Sequence, residues 1–187
     1  MPRLFSALEL PDMARTHLSM LRGEMGGARW MTAENLHLTL RFFGDVTDAI
    51  ADDIAGHLQA IVADPVPIEI AGTGSFGGQS ETVVYAAVKP TPALLALQKT
   101  HERVARLVGL DASDHAFKPH VTLARVRHAR PSLLARFLAE TGALRLHAFT
   151  ADRFVLLSSR PGRGGGPYAL ETAVALGDED DDGANDA

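Results

Sequence analysis

Asn35-Leu36-His37-Leu38-Thr39-Leu40-Arg41-Phe42 and Lys118-Pro119-His120-Val121-Thr122-Leu123-Ala124-Arg125 share one design. Each holds a histidine, a threonine two residues on, and apolar residues between and after. In a β-strand successive side chains point to opposite faces. His37 and Thr39 therefore share a face, with Leu36, Leu38 and Leu40 behind them. His120 and Thr122 do the same, backed by Val121 and Leu123. The apolar backing sets register, because a slip of one residue would bury the histidine and expose the leucines. On strict alternation Arg41 joins the His37 face. Arg125 reaches the His120 face only if the strand bends near Ala124.

The pattern is rarer than chance allows. With 12 threonines and eight histidines in 187 residues that are 46% apolar, about 0.1 matches are expected, and two occur. His17-Leu18-Ser19-Met20 looks similar but lies in a stretch of helical spacing, where residues i and i+2 do not share a face.

Outward from the two motifs, strands and helices alternate. Leu4–Leu10 reads as a strand, followed by a helix opened by Pro11, striped by Ala14, Leu18, Leu21 and Met25, and ended by glycines 23, 26 and 27. Residues 28–32 read as a short extended piece before the first histidine strand. Thr47 caps a second helix striped by Ile50, Ile54, Leu58, Ile61 and Val62. Val66, Ile68 and Ile70 suggest an edge strand. Gly72-Thr73-Gly74-Ser75-Phe76-Gly77-Gly78 reads as a loop, either a flexible connection or a substrate-facing rim with Phe76 as a stacking surface. It matches G-x-G-x-x-G on paper, but the β-branched run 82–88 follows where a helix is required. Thr91-Pro92 starts a third helix lined by Leu94, Leu97, His101, Val104 and Val108, and Gly109 ends it. After the second histidine strand, Pro131 starts a fourth helix ending at Gly142. Residues 144–149, 154–157 and 168–176 read as strands, the last two joined by a loop containing Arg160 and Arg163. The motifs lie 83 residues apart, and each half offers strand, helix, histidine strand, helix, strand. Two similar lobes of this kind could set their histidine strands side by side across a groove.

Composition bounds the rest. The chain is one domain over residues 1–177, followed by an acidic tail, 178–187, whose composition predicts disorder. The tail holds six of the 23 acidic residues, so the formal charge of −5 becomes +1 for the body, with 17 acids against 18 Lys and Arg. That excludes a broad nucleic-acid-binding coat, so any anion site is local. There is no cysteine, hence no disulfide and no thiolate metal site. No apolar run approaches a membrane span, and residues 1–6 contain no signal-peptide core. The expected location is cytoplasmic and the expected state a monomer.

Two imidazoles and two hydroxyls around one groove suit in-line displacement at a phosphodiester. One imidazole takes a proton from the attacking water and the other gives one to the departing oxygen. A pKa near 6.5 lets one be neutral and the other charged around neutral pH. Threonine hydroxyls can donate to non-bridging oxygens, and an arginine adds charge-assisted bonds.

The His37-Leu38-Thr39-Leu40 and His120-Val121-Thr122-Leu123 pair resembles the H-x-T-x signatures of the two-histidine phosphoesterases, and within them the LigT-like RNA 2′,3′-cyclic phosphodiesterases. Arg3-Leu4-Phe5-Ser6-Ala7-Leu8, Arg29-Trp30-Met31, Glu34-Asn35-Leu36, Phe42-Phe43-Gly44-Asp45-Val46 and Lys118-Pro119 add to the likeness, which spans residues 1–176. The resemblance implies an α+β, bilobal, pseudo-duplicated fold, with two antiparallel sheets, flanking helices and a central groove carrying both motif strands. It implies hydrolysis of RNA ends or nucleotides bearing a 2′,3′-cyclic phosphate to the 2′-phosphate, with no metal and no cofactor. It makes His37 the proton donor to the leaving O3′ and His120 the base. Thr39, Thr122 and Arg125 then bind phosphate oxygens, and Phe76 stacks on a base.

Three alternatives stand beside this. His115, His120 and His128 are close in sequence, but lack the spacing and carboxylates of a zinc site. A non-catalytic RNA-end binding module would need cations and aromatics more than paired imidazoles. A 2′-5′ RNA ligase or 2′-5′ phosphodiesterase would use the same residues. His57, His101 and His147 read as surface or core-edge residues.

Overall fold

Arg3–Glu9 forms the central strand β1, in which Leu4 to Leu8 are all buried. A strand covered on both faces has no polar side to alternate with. The coordinates are a computed structural model and describe residues 1–77, 80–159 and 168–177. The loop with Arg160 and Arg163 and the acidic tail lie outside the described residues.

Helix α1 is Asp12–Ser19, with Pro11 in the N-cap position and not inside the helix. It ends well before the expected glycines. Past it the chain packs against Phe137: a Cβ on Gly23 would lie 2.8 Å from that ring. Met25 is buried with Val84, Ala124, Val126 and Phe137. Tertiary burial thus wins over the helical stripe. Strand β2 (Ala28–Trp30), a 3₁₀ turn (Ala33–Asn35), β3 (His37–Asp45) and α2 (Asp48–Gln59) follow. Thr47 accepts a hydrogen bond from the Ile50 N–H, as expected of a cap. The helix ends before Ile61 and Val62, and Val62 is exposed.

Next come β4 (Val66–Ile68), β5 (Ile70–Gly77), β6 (Glu81–Val88), α3 (Pro92–Leu107) and β7 (His120–Arg127). Thr91 caps α3 through the Leu94 N–H, Pro92 opens it, and Gly109 follows it at φ +80°. The glycine stretch is a correction: residues 72–77 belong to strand β5, paired with β6, and are not a loop, while Gly78 lies outside the described residues. Its glycines permit close approach, since a Cβ on Gly74 would lie 2.5 Å from the Tyr85 hydroxyl. Then come α4 (Pro131–Thr141), β8 (Phe149–Ala151), β9 (Arg153–Ser159) and β10 (Tyr168–Ala175). Residues 144–148 are not the expected strand, and only Arg145 bridges to Ala71.

The fold is α+β, with four α-helices among the described residues and antiparallel sheets. Strand order is β10-β9-β1-β3-β7-β6-β5, with β2 also on β7, and β4 pairs with β8 separately. In place of the two flanking sheets expected, the motif strands belong to one continuous sheet, because β3 and β7 pair directly, through Leu38↔Val121 alone. The main core lies under the helices, with Leu8, Leu38, Ile54, Leu58, Leu94 and Leu156 near its centre. No helix among the described residues is long and apolar enough to cross a membrane.

Both histidine strands are bulged, and at the same motif position. Against β1, the partner of Ser6 is Arg41 and that of Ala7 is Thr39, so Leu40 is the extra residue. Against β6, the partner of Val84 is Ala124 and that of Tyr85 is Thr122, so Leu123 is extra. Leu40 and Leu123 are 83 residues apart, as are His37 and His120. An extra residue reverses the parity of everything after it. After Leu123 it brings Arg125 to the His120 face, the bend that Arg125 requires. After Leu40 it turns Arg41 away and presents Phe42 in its place, which overturns the parity expected for Arg41.

His101 is also corrected. It is fully buried on α3, its ring edge-on to Phe154 at 4.6 Å, with no hydrogen bond to either nitrogen. Burial lowers its pKa to about 3. His57 and His147 are exposed.

Candidate active site

A cleft of about 970 Å³ lies over the seam between β3 and β7 and is lined by both motif pairs, His37 with Thr39 and His120 with Thr122. The two imidazoles are held alike. His37 Nδ1 is 2.8 Å from the Asn35 carbonyl, and His120 Nδ1 is 2.6 Å from the Lys118 carbonyl. A carbonyl only accepts, so each Nδ1 carries the hydrogen and donates it. In the neutral ring Nε2 is then the unprotonated nitrogen, able to take a proton and later return it. The chain residue two positions before the histidine supplies the tether in both cases, so the motif orients its own imidazole.

Aromatic rings wall each imidazole. Phe5 and Tyr168 flank His37 at 4.9 and 5.3 Å. Phe76 and Tyr85 flank His120 at 4.9 and 5.4 Å. These walls come from β1, β10, β5 and β6. Burial is accordingly the main influence on both rings. It pushes the His37 pKa down to about 4, against the Asn35 carbonyl and with help from charge on His120. The pKa of His120 is lowered too, first by burial, with the Lys118 carbonyl opposing and the Lys118 and Arg125 charges adding to the fall. Both shifts favour the neutral imidazole at neutral pH.

Arg125 lines the cleft, its Nη1 3.0 Å from a Glu81 carboxylate oxygen. Phe76 also lines it and is 38% exposed, which leaves ring surface open to a ligand. Arg41 does not line it. Its Nε lies 2.9 Å from Glu102 on α3, an ionic contact without hydrogen-bond alignment, and its Nη2 donates to the Asp111 carbonyl at 2.6 Å. His115 and His128 are exposed. They form no cluster with His120: among the described residues no three His, Asp or Glu side chains are placed to share a metal ion.

Sequence reasoning missed Arg3, Arg29, Arg127, Phe42 and Tyr168, all in the cleft wall. Only Arg127 carried a local signal, being two residues beyond Arg125 and so on its face. The others enter through strand pairing.

One cleft, two tethered imidazoles and an arginine on an antiparallel α+β frame define a class, and the comparisons agree. The chain belongs to the 2′-5′ RNA ligase superfamily, whose sequence model matches residues 10–163. An Archaeoglobus fulgidus protein named RNA 2′,3′-cyclic phosphodiesterase is 28% identical over 167 residues, 85% of this chain and 94% of that one. A Thermus thermophilus protein of the same name is 32% identical over 140 residues, 69% of this chain and 71% of its own length. Among solved structures, E. coli LigT complexed with 3′-AMP superposes with a TM-score of 0.74 at 23% identity, over 94% of this chain and 99% of LigT. That likeness is one of fold.

Proposed function

We propose that the chain is an RNA 2′,3′-cyclic phosphodiesterase on a bilobal, pseudo-duplicated frame, with the seam between β3 and β7 as the floor of the groove. The observation that carries this is the matched pair of Nδ1 tethers, which leaves two imidazole Nε2 atoms available in one cleft. The repeated bulge at Leu40 and Leu123 supports the duplication. Relatives bearing the phosphodiesterase name support the substrate class.

His120 Nε2 takes a proton from a water attacking phosphorus opposite O3′. The P–O3′ bond breaks as His37 Nε2–H gives its proton to O3′, leaving a 2′-phosphate and a 3′-hydroxyl. His120 ends charged and His37 neutral, and proton exchange with solvent resets them. Thr39, Thr122 and Arg125 hold the non-bridging oxygens, and Phe76 stacks on the base. His37 must be protonated to act, yet its burial favours the neutral ring. An arriving phosphate anion favours the imidazolium and raises that pKa. The reactive protonation state thus forms with substrate bound. No step calls on a metal.

The test is to offer a dinucleotide ending in a 2′,3′-cyclic phosphate and locate the product phosphate by NMR. A 2′-phosphate is expected, whereas a 3′-phosphate or no hydrolysis would overturn the reading. The superfamily match favours one second reading, joining of RNA ends through a 2′-5′ bond by the same residues in reverse. Adding a 5′-hydroxyl oligonucleotide to the same assay checks it.

A further inference from the structure

We propose that Arg29 and Arg127, beside Arg125, form a second phosphate site, which takes the phosphate on the 5′ side of the nucleotide bearing the cyclic end. The substrate class becomes RNA ends or nucleotides that carry a 5′-phosphate as well as the cyclic one. This deepens the phosphodiesterase reading and rests on it.

The arginines form a patch across two paired strands, β2 and β7. Arg29 on β2 is the register partner of Arg125 on β7. Arg127 lies two residues further along β7, one same-face step of about 6–7 Å. Its register partner is Glu81 on β6, whose carboxylate is taken by Arg125. Among the described residues no ion pair reaches Arg29 or Arg127, and both are exposed. The cleft wall holds four arginines, Arg3, Arg29, Arg125 and Arg127, against one carboxylate, Glu81, a net +3. The chain without its acidic tail is only +1, so this charge is concentrated and not a general coat.

A cyclic phosphodiester carries a single negative charge, which the two threonines and Arg125 already serve. Two more guanidiniums beside Arg125 repel one another unless a further anion lies between them, and arginine forks suit phosphate oxygens. Order along β7 sets direction: His120, Thr122, Arg125, Arg127 lead out from the reacting phosphate. The cleft, about 970 Å³, is at the upper end of the ~300–1,000 Å³ range of ligand pockets, leaving room beyond one nucleoside.

The test compares a nucleoside 2′,5′-bisphosphate with the matching 2′-monophosphate by calorimetry at two salt concentrations. The bisphosphate has the second phosphate but no second base, so stacking is not confounded with charge. Wild type should bind it about tenfold or more tightly than the monophosphate, with a steeper salt dependence. Arg29→Gln with Arg127→Gln should erase most of that ratio and the extra salt slope. In turnover, a 5′-phosphate on a nucleoside 2′,3′-cyclic phosphate should raise kcat/KM by a similar factor in wild type and not in the double variant. Equal affinity of wild type for the two nucleotides, or equal losses for both in the variant, overturns the second site. If wild type prefers the bisphosphate yet hydrolyses neither cyclic phosphate, the second site stands and the phosphodiesterase reading falls.

Discussion

At the residue scale, the imidazoles of His37 and His120 are tuned by enclosure as much as by partners. A positioned acid or base contributes about 10²–10⁴-fold, so His37→Ala and His120→Ala should each lower kcat by that order with the fold retained. The double variant should lose less than the product of the two, as for groups acting together. Burial holds both pKa values below 6.5. The kcat/KM profile, which reports the free protein, should therefore be a bell centred below about pH 6.5. Bound phosphate raises the values, so the kcat bell should sit at higher pH, its limbs belonging to the coupled pair. Coincident bells would count against a protonation state set by substrate. Phe76→Ala should raise KM with kcat nearly kept, since stacking is worth about 1–3 kcal/mol per base. An unchanged KM would remove Phe76 from the site.

At the element scale, the two bulges decide which arginine faces the cleft and which is buried behind it. Arg41, turned inward past Leu40, meets Glu102 with side chains 12% and 14% exposed. Glu102 also accepts from the Ser113 N–H at 3.0 Å. The pair thus ties β3 to α3 and to the segment that leads into Lys118 and His120. Since β3 and β7 share only Leu38↔Val121, such ties help hold the two motif strands in relation. Arg41→Met leaves a nearly buried carboxylate without its counter-charge and should cost about 3–5 kcal/mol in chemical denaturation. Adding Glu102→Met should recover much of it. A single-variant loss under about 1 kcal/mol would put the pair among ordinary surface bridges.

For the whole molecule, His101 links stability to pH. Its folded pKa of about 3 lies below the ordinary 6.5, so in between the unfolded chain binds more protons than the folded one. Stability then falls as pH drops from 6.5 toward 3, and His37 adds to the fall down to about 4. His101→Leu fills the space next to Phe154 without a titrating ring. Its melting temperature should decline less steeply with acid than that of wild type. Parallel declines would show that His101 is not the source.

Strand and helix signals, the caps Thr47 and Thr91, and the two His-x-Thr faces were legible in the sequence because each depends on neighbours a few residues away. So was the pairing of His37 with His120 as candidates, from an improbable repeat 83 residues apart. The glycine run at 72–77 misled, because only contact with Tyr85 shows why a strand would carry glycines there. His101 misled because a ring on an apolar helix stripe looks the same whether Phe154 covers it or water does. Strict alternation placed Arg41 on the wrong face and made Arg125 depend on a bend near Ala124, since a bulge is a property of two paired strands and leaves no mark in either alone. The walls around the imidazoles come from Phe5, Tyr168, Phe76 and Tyr85, on strands far apart in the chain. Local periodicity sets what each strand presents; only the packing of those strands sets which side chains meet, how dry they become and therefore where they titrate.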